Sequence, residues 1–162
     1  MYPLFPYRRV IIQTPLTAED AARVLTKVVT PRAWYYLFWT RATTGFEGRV
    51  SRDGFNINRA IRYRNSFLPV LHGRFRPTTN GTAVDVRMVM HPFVNLFLLF
   101  WCVILGIAFF QFATHVLQGG SISGRDWIPF AILIFIYLMV FLSFGFEAER
   151  ATRMLKETFG AS

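Results

Sequence analysis

Two long stretches without a charged residue, Phe93 to Leu117 and Trp127 to Phe146, restrict this chain more than any other feature of its sequence. The first has 25 residues, about 37 Å as an α-helix, and the second has 20. A bilayer's hydrocarbon core is about 30 Å thick and takes about 20 apolar residues to cross. The intervening segment, Gln118 to Asp126, is rich in Gly and Ser and too short to form a domain, so it reads as a polar turn between two antiparallel helices. Burying such a hairpin inside a soluble protein would need a thick shell around it. A chain of 162 residues cannot supply one for 45 apolar positions.

Charge is segregated in the same way. The chain carries a net charge of +9 at a mean hydropathy of +0.34, so its basic and apolar residues must lie apart. Of 18 Lys and Arg, 14 precede residue 93 together with five acids, while the turn and the C-terminal tail are each neutral. The positive-inside rule then puts both termini in the cytoplasm, at a bacterial inner membrane, with the turn outside. No cleavable signal pattern opens the sequence, because Pro15 stops a very short apolar run. The lone Cys102 falls within the first apolar stretch, which leaves no intrachain disulfide and no cysteine metal motif.

The first 92 residues read as a basic α+β domain. Arg8 to Gln13 is a β-branched run and a plausible strand. Thr17 has the position of an N-cap, with Asp20 three residues on, and Ala21, Val24, Leu25, Val28 and Val29 recur at helical spacing until Pro31. Trp34, Tyr35, Tyr36 and Trp39 form a dense aromatic cluster suited either to the membrane interface or to the domain core. Trp127, at the start of the second apolar stretch, is a further interface candidate. From Gly45 to Met90 the period becomes two, with turn signals at Asp53-Gly54 and Asn80-Gly81, which predicts four antiparallel strands with one apolar face. The predicted fold is thus an N-terminal helix packed on a small antiparallel sheet (1–92), a two-helix transmembrane hairpin (93–146, with spans 93–117 and 127–146) and a short C-terminal helix (147–162).

The most distinctive residues of the soluble part run from Arg59 to Phe75 (RAIRYRNSFLPVLHGRF). With Gly81-Thr82 and the Met90-His91-Pro92-Phe93 junction, they resemble a family of small two-span bacterial membrane proteins. The likeness covers residues 46–100 and implies no activity and no functional residue. On the residues alone, Arg62 and Arg64 project from one side of an extended chain, as do Arg74 and Arg76, and such pairs suit phosphates or carboxylates. A solvated outer face that simply records topology is the plainer account of any one of these arginines. Together they predict attraction to anionic lipid or an acidic partner. No nucleic-acid-binding module is visible, so nucleic acid is not the expected partner.

Within the apolar stretches, Gln111 and His115 share a helix face, and an intramembrane histidine is a candidate ligand for a haem or chlorophyll or a contact for quinone. His91 is too far along the helix to complete a bis-histidine site with it. Eleven of the 18 phenylalanines lie in the two stretches, more rings than two helices can bury against each other. They must face lipid, another protein, or a flat apolar ligand such as a pigment or quinone. Nucleophile elbows, phosphate loops, zinc-protease motifs and C-x-x-C pairs are all missing, so no catalytic activity is expected. Two functions fit: a non-catalytic accessory subunit of a larger respiratory or photosynthetic membrane complex, and a free-standing membrane-tethered domain that senses anionic lipid or a small acidic ligand.

Overall fold

The β-branched residues Val10, Ile11 and Ile12 need a strand partner, and they find it in the last strand of the sheet in sequence. In a computed structural model that describes residues 6–31, 45–60 and 67–161, β1 (Tyr7–Thr14) pairs antiparallel with β6 (Gly81–Val89). Between them in sequence come α1 (Ala18–Val28), β2 (Val29–Pro31), β3 (Phe46–Val50), β4 (Gly54–Arg59) and β5 (Val70–Thr78). After β6 follow α2 (Pro92–Leu117), a 3₁₀ turn (Gly124–Trp127) and α3 (Ile128–Phe159). The sheet has six strands in the order β1-β6-β5-β4-β3-β2.

Two expectations change here. The helix predicted to open the fold does not, because β1 precedes it and completes one edge of the sheet. The sheet is also mixed rather than purely antiparallel: Val29 to Pro31 leave α1 and pair parallel with Phe46 to Gly48. Val28-Val29-Thr30 is β-branched and stiff at χ1, which favours the extended form once Pro31 forbids another helical turn. Proline is tolerated there because β2 is an edge strand. Trp34, Tyr35, Tyr36 and Trp39, and likewise Arg62 and Arg64, lie outside the described residues.

Alternation sorts the strands into two faces. Ile12, Phe46, Phe55, Ile57, Leu71, Phe75, Val84, Val86 and Met88 form the buried face, and Ala21, Ala22 and Leu25 of α1 join them. Thr17 caps α1 by accepting the Asp20 N–H at 3.2 Å. The rest of the cover comes from α3. Its 32 residues run without a break from the uncharged stretch through the C-terminal helical segment, ending at Gly160 in the left-handed region (φ 60°). Ala148, Ala151, Leu155 and Phe159 are all buried on the sheet, and the Thr14 hydroxyl donates to the Phe159 carbonyl at 2.9 Å.

Gly54 departs from its expected role. It does not take the positive φ of a two-residue hairpin turn. It is instead the first residue of β4, and a Cβ there would meet the Gly73 carbonyl oxygen at 2.2 Å. Gly73 in turn leaves room for the Phe55 ring, which then stacks on Phe75 at 5.6 Å between centroids. These two glycines let β4 and β5 approach closely while a large ring fills the core beneath them.

The two long helices are both apolar enough to cross a membrane, by length and composition. No linker separates them from the domain: His91 Nδ1 accepts the Phe93 N–H at 3.3 Å, and Pro92 occupies the first turn of α2. Val94 and Leu98 of α2 and Val140 and Phe144 of α3 belong to the same buried cluster as the sheet core. At the opposite end, Phe109, Phe112, Trp127 and Phe130 pack edge-on or tilted against one another with centroids 5.8–6.1 Å apart. Ser123 and Asp126 close the turn as a capping box.

Candidate functional site

Among the described residues, charged side chains gather in two places, and these differ in what they can do. The first is the outer face of the sheet, turned away from α1 and α3. By register, Arg9 on β1, Asp85 and Arg87 on β6, and Arg74 and Arg76 on β5 all face this side. Asp85 sits in the middle at 4% exposure. Arg9 donates to both its oxygens, Nε to Oδ1 at 2.8 Å and Nη2 to Oδ2 at 2.7 Å, and Arg76 Nη2 approaches Oδ2 at 3.0 Å. These are diagonal cross-strand contacts, and the Arg9 fork is the strong bidentate form.

The hydrogen bond from Arg9 holds the Asp85 carboxyl below its ordinary value, against the opposing effect of burial, with the charges of Arg9, Arg76 and Arg87 adding to it. A carboxylate depressed in the folded state contributes stability that is present above its unfolded pKa, about 3.9, and is lost as pH falls through the folded value. Asp85→Asn is therefore expected to lower stability at neutral pH and to flatten the acid limb of the stability curve below about pH 4. Unfolding midpoints measured from pH 7 down to pH 2 check this; an unchanged acid limb in the variant would refute the role given to Asp85.

Arg74 and Arg76, expected as an anion-binding pair, thus divide their surroundings with an acid. Arg76 is spent on Asp85, and Arg74 is directly opposite it in register. Asp85 and Ala83, their cross-strand partners, are four and six residues back from the end of β6, about 14 and 20 Å from that end of the strand. The pair is remote from the apolar helices and on the other face of the sheet.

The second place is the junction where α3 changes from uncharged to charged. Glu147 is the first charged residue after the apolar run, and it is buried at 6% side-chain exposure. Arg59, whose alternation with Phe55 and Ile57 puts it on the core side of β4, meets it with Nη2 to Oε2 at 2.5 Å. Alongside it, from Phe141 to Arg153, a shallow groove of about 470 Å³ runs between α3 and Arg8 of β1. Its floor is Phe141, Leu142, Gly145 and Phe146, and its rim is Arg8, Glu149, Arg150 and Arg153. Arg8 Nη1 lies 3.6 Å from Glu149 Oε2.

The remaining predicted positions lie at the far end of the hairpin. His115 is exposed in the last turn of α2, with its ring folded over Gly120 so closely that a Cβ there would collide with it. Trp127 is 56% exposed beside Phe112 and Phe130. Among the described residues no three His, Cys, Asp or Glu side chains gather in a way that would hold a metal ion. No family model matches the chain, and no curated protein is significantly similar to it.

Strand geometry marks the arginines two apart, whereas Arg8, Arg150 and Arg153 are brought together only by the tertiary fold. A signal was present all the same: an arginine on the apolar side of β4 needs a buried acid, and Glu147 ends the uncharged run.

Proposed function

We propose that this protein is a non-catalytic, membrane-anchored subunit that uses its two apolar helices to sit beside the helices of a larger bacterial membrane assembly and its basic domain to cover the cytoplasmic face. The observation that carries this reading is the surface of the helices. Only 17% and 11% of their most apolar windows are buried within the chain, whereas a core helix of a soluble protein is mostly buried. Phe93, Phe100, Phe109, Phe110, Phe135 and Phe146 all stand outward, each more than half exposed. Bare faces of this size are stable only against lipid or protein.

The domain is held stiffly on these helices. α3 enters the sheet core as a continuous rod, and α2 leaves β6 with only a proline-marked helix start between them. With the basic domain on the cytoplasmic side, the capped turn at 118–126 faces outward. A rigid basic platform on a two-helix anchor suits docking rather than turnover. The outward rings would also accept a pigment or quinone, and His115 is the side chain nearest the turn that would ligate one.

Two measurements test the reading in sequence. Carbonate extraction at high pH is expected to leave the chain in the membrane pellet. Mild-detergent extraction followed by native electrophoresis is then expected to show it migrating with a partner several times its own mass. Release by carbonate refutes the anchor, and migration as a lone monomer or dimer refutes the subunit.

A further inference from the structure

The groove at the α3 junction has a chemistry that matches one class of molecule. Leu142, Gly145, Phe146, Glu149 or Arg150, and Arg153 follow one another at three- and four-residue steps, so they make a single stripe along α3. The stripe is apolar up to Phe146 and ionic after it. Arg8, reaching across from β1, forms the opposite wall. Three arginines face one acid, Glu149, so the rim carries a surplus of two positive charges over an apolar floor.

We infer that this groove is a binding site for a single phospholipid with an anionic headgroup, its phosphate held by Arg8, Arg150 and Arg153 and the start of its acyl chains lying on Phe141, Leu142 and Phe146. The inference rests on the membrane reading above. Depth agrees with it: Arg150 and Arg153 are about 6 and 10 Å beyond Phe146 along the helix. The headgroup layer is about 5–8 Å thick on each side of the hydrocarbon core. With Phe146 at the edge of the hydrocarbon, the guanidinium groups stand at or just above phosphate level.

Gly145 supplies the space. A Cβ built there meets nothing within 4 Å, so the helix does not need a glycine for packing, and its missing side chain leaves the floor open. Glu149, 3.6 Å from Arg8, keeps that arginine at the rim and moderates the charge.

The test uses the full chain in mild detergent and native mass spectrometry, with phosphatidylglycerol and phosphatidylcholine of identical acyl chains as probes. The wild-type protein is expected to retain phosphatidylglycerol preferentially. Each arginine lost from the rim is expected to reduce that preference about fivefold, so Arg150→Gln with Arg153→Gln reduces it about 25-fold. Arg74→Gln, on the outer face of the sheet, is expected to leave it unchanged. Gly145→Leu is expected to weaken retention of both lipids by filling the floor. Glu149→Gln is expected to raise the preference, a gain that an unfolded variant cannot imitate. No preference in the wild type, an unmoved preference in the double variant, or no rise in Glu149→Gln overturns the proposal. Release of the wild-type chain from membranes by carbonate would instead remove the anchor on which it stands, so the two failures are distinguishable.

Discussion

Phe159→Ala is expected to lower the stability of the sheet domain by about 3–5 kcal/mol, the usual range when a buried phenylalanine is truncated and its cavity only partly closes. Phe159 is 2% exposed and packs edge-on against Phe75 with ring centroids 6.4 Å apart. Phe75 in turn stacks on Phe55. The ring therefore closes a three-ring column through the core, and the Phe159 backbone carbonyl accepts from buried Thr14 on the edge strand. Domains retain only about 5–15 kcal/mol of net stability, so this one substitution removes about a fifth or more of a typical total. Chemical unfolding of the detergent-solubilised chain, followed by far-ultraviolet circular dichroism, gives the number. Glu157→Ala, an exposed position two residues away, is the control and is expected to change stability by less than about 0.5 kcal/mol. Equal losses in the two variants would show that the end of α3 is not part of the core.

That expectation depends on a feature the sequence revealed only in part. The apolar alternation of Val84, Val86 and Met88, and the helical spacing of Ala21 and Leu25, were legible because one buried face imposes its period on the chain. Gly160 ends α3 because a left-handed residue there favours glycine. What covers the sheet beside α1 was legible only in part. Ala148, Ala151 and Leu155 lie far along the chain from the strands they cover, and periodicity marks a buried face without naming its partner. The same limit explains the site. Arg74 and Arg76 were visible as a pair because strand geometry is local, whereas Asp85, which engages Arg76, belongs to the next strand. Arg8 and Arg153 are separated by nearly the whole chain, so no spacing rule could have joined them. β2 was missed because three residues are too few for any period to show, and the three β-branched residues at 28–30 extended the helical pattern beyond its true end.

Arg59→Ala is expected to have a comparable effect through a different cause, costing about 3–5 kcal/mol, because breaking a buried ion pair withdraws compensation from a charge held away from water. Glu147 is that other charge, and its position gives the pair meaning beyond stability. It is the point at which α3 passes from its uncharged stretch into the sheet, and Arg59 fixes it to β4 from the core side. In the membrane reading, the pair locks the anchor to the domain at the level where hydrocarbon gives way to headgroups. Replacing both partners by apolar residues, Arg59→Met with Glu147→Met, is expected to recover most of the loss, since well-packed apolar substitutes for a buried pair are often neutral or better. A double-mutant cycle on unfolding free energies then isolates the pair from its surroundings. Hydrogen exchange adds the location: in Arg59→Ala, protection is expected to fall first in β4 and in α3 around Ala148 and Ala151, while the turn at 118–126 is unaffected. If the double replacement is no more stable than Arg59→Ala alone, the two side chains are not coupled, and the rigid joint between helices and sheet must be held by Met88, Val140 and Phe144 instead.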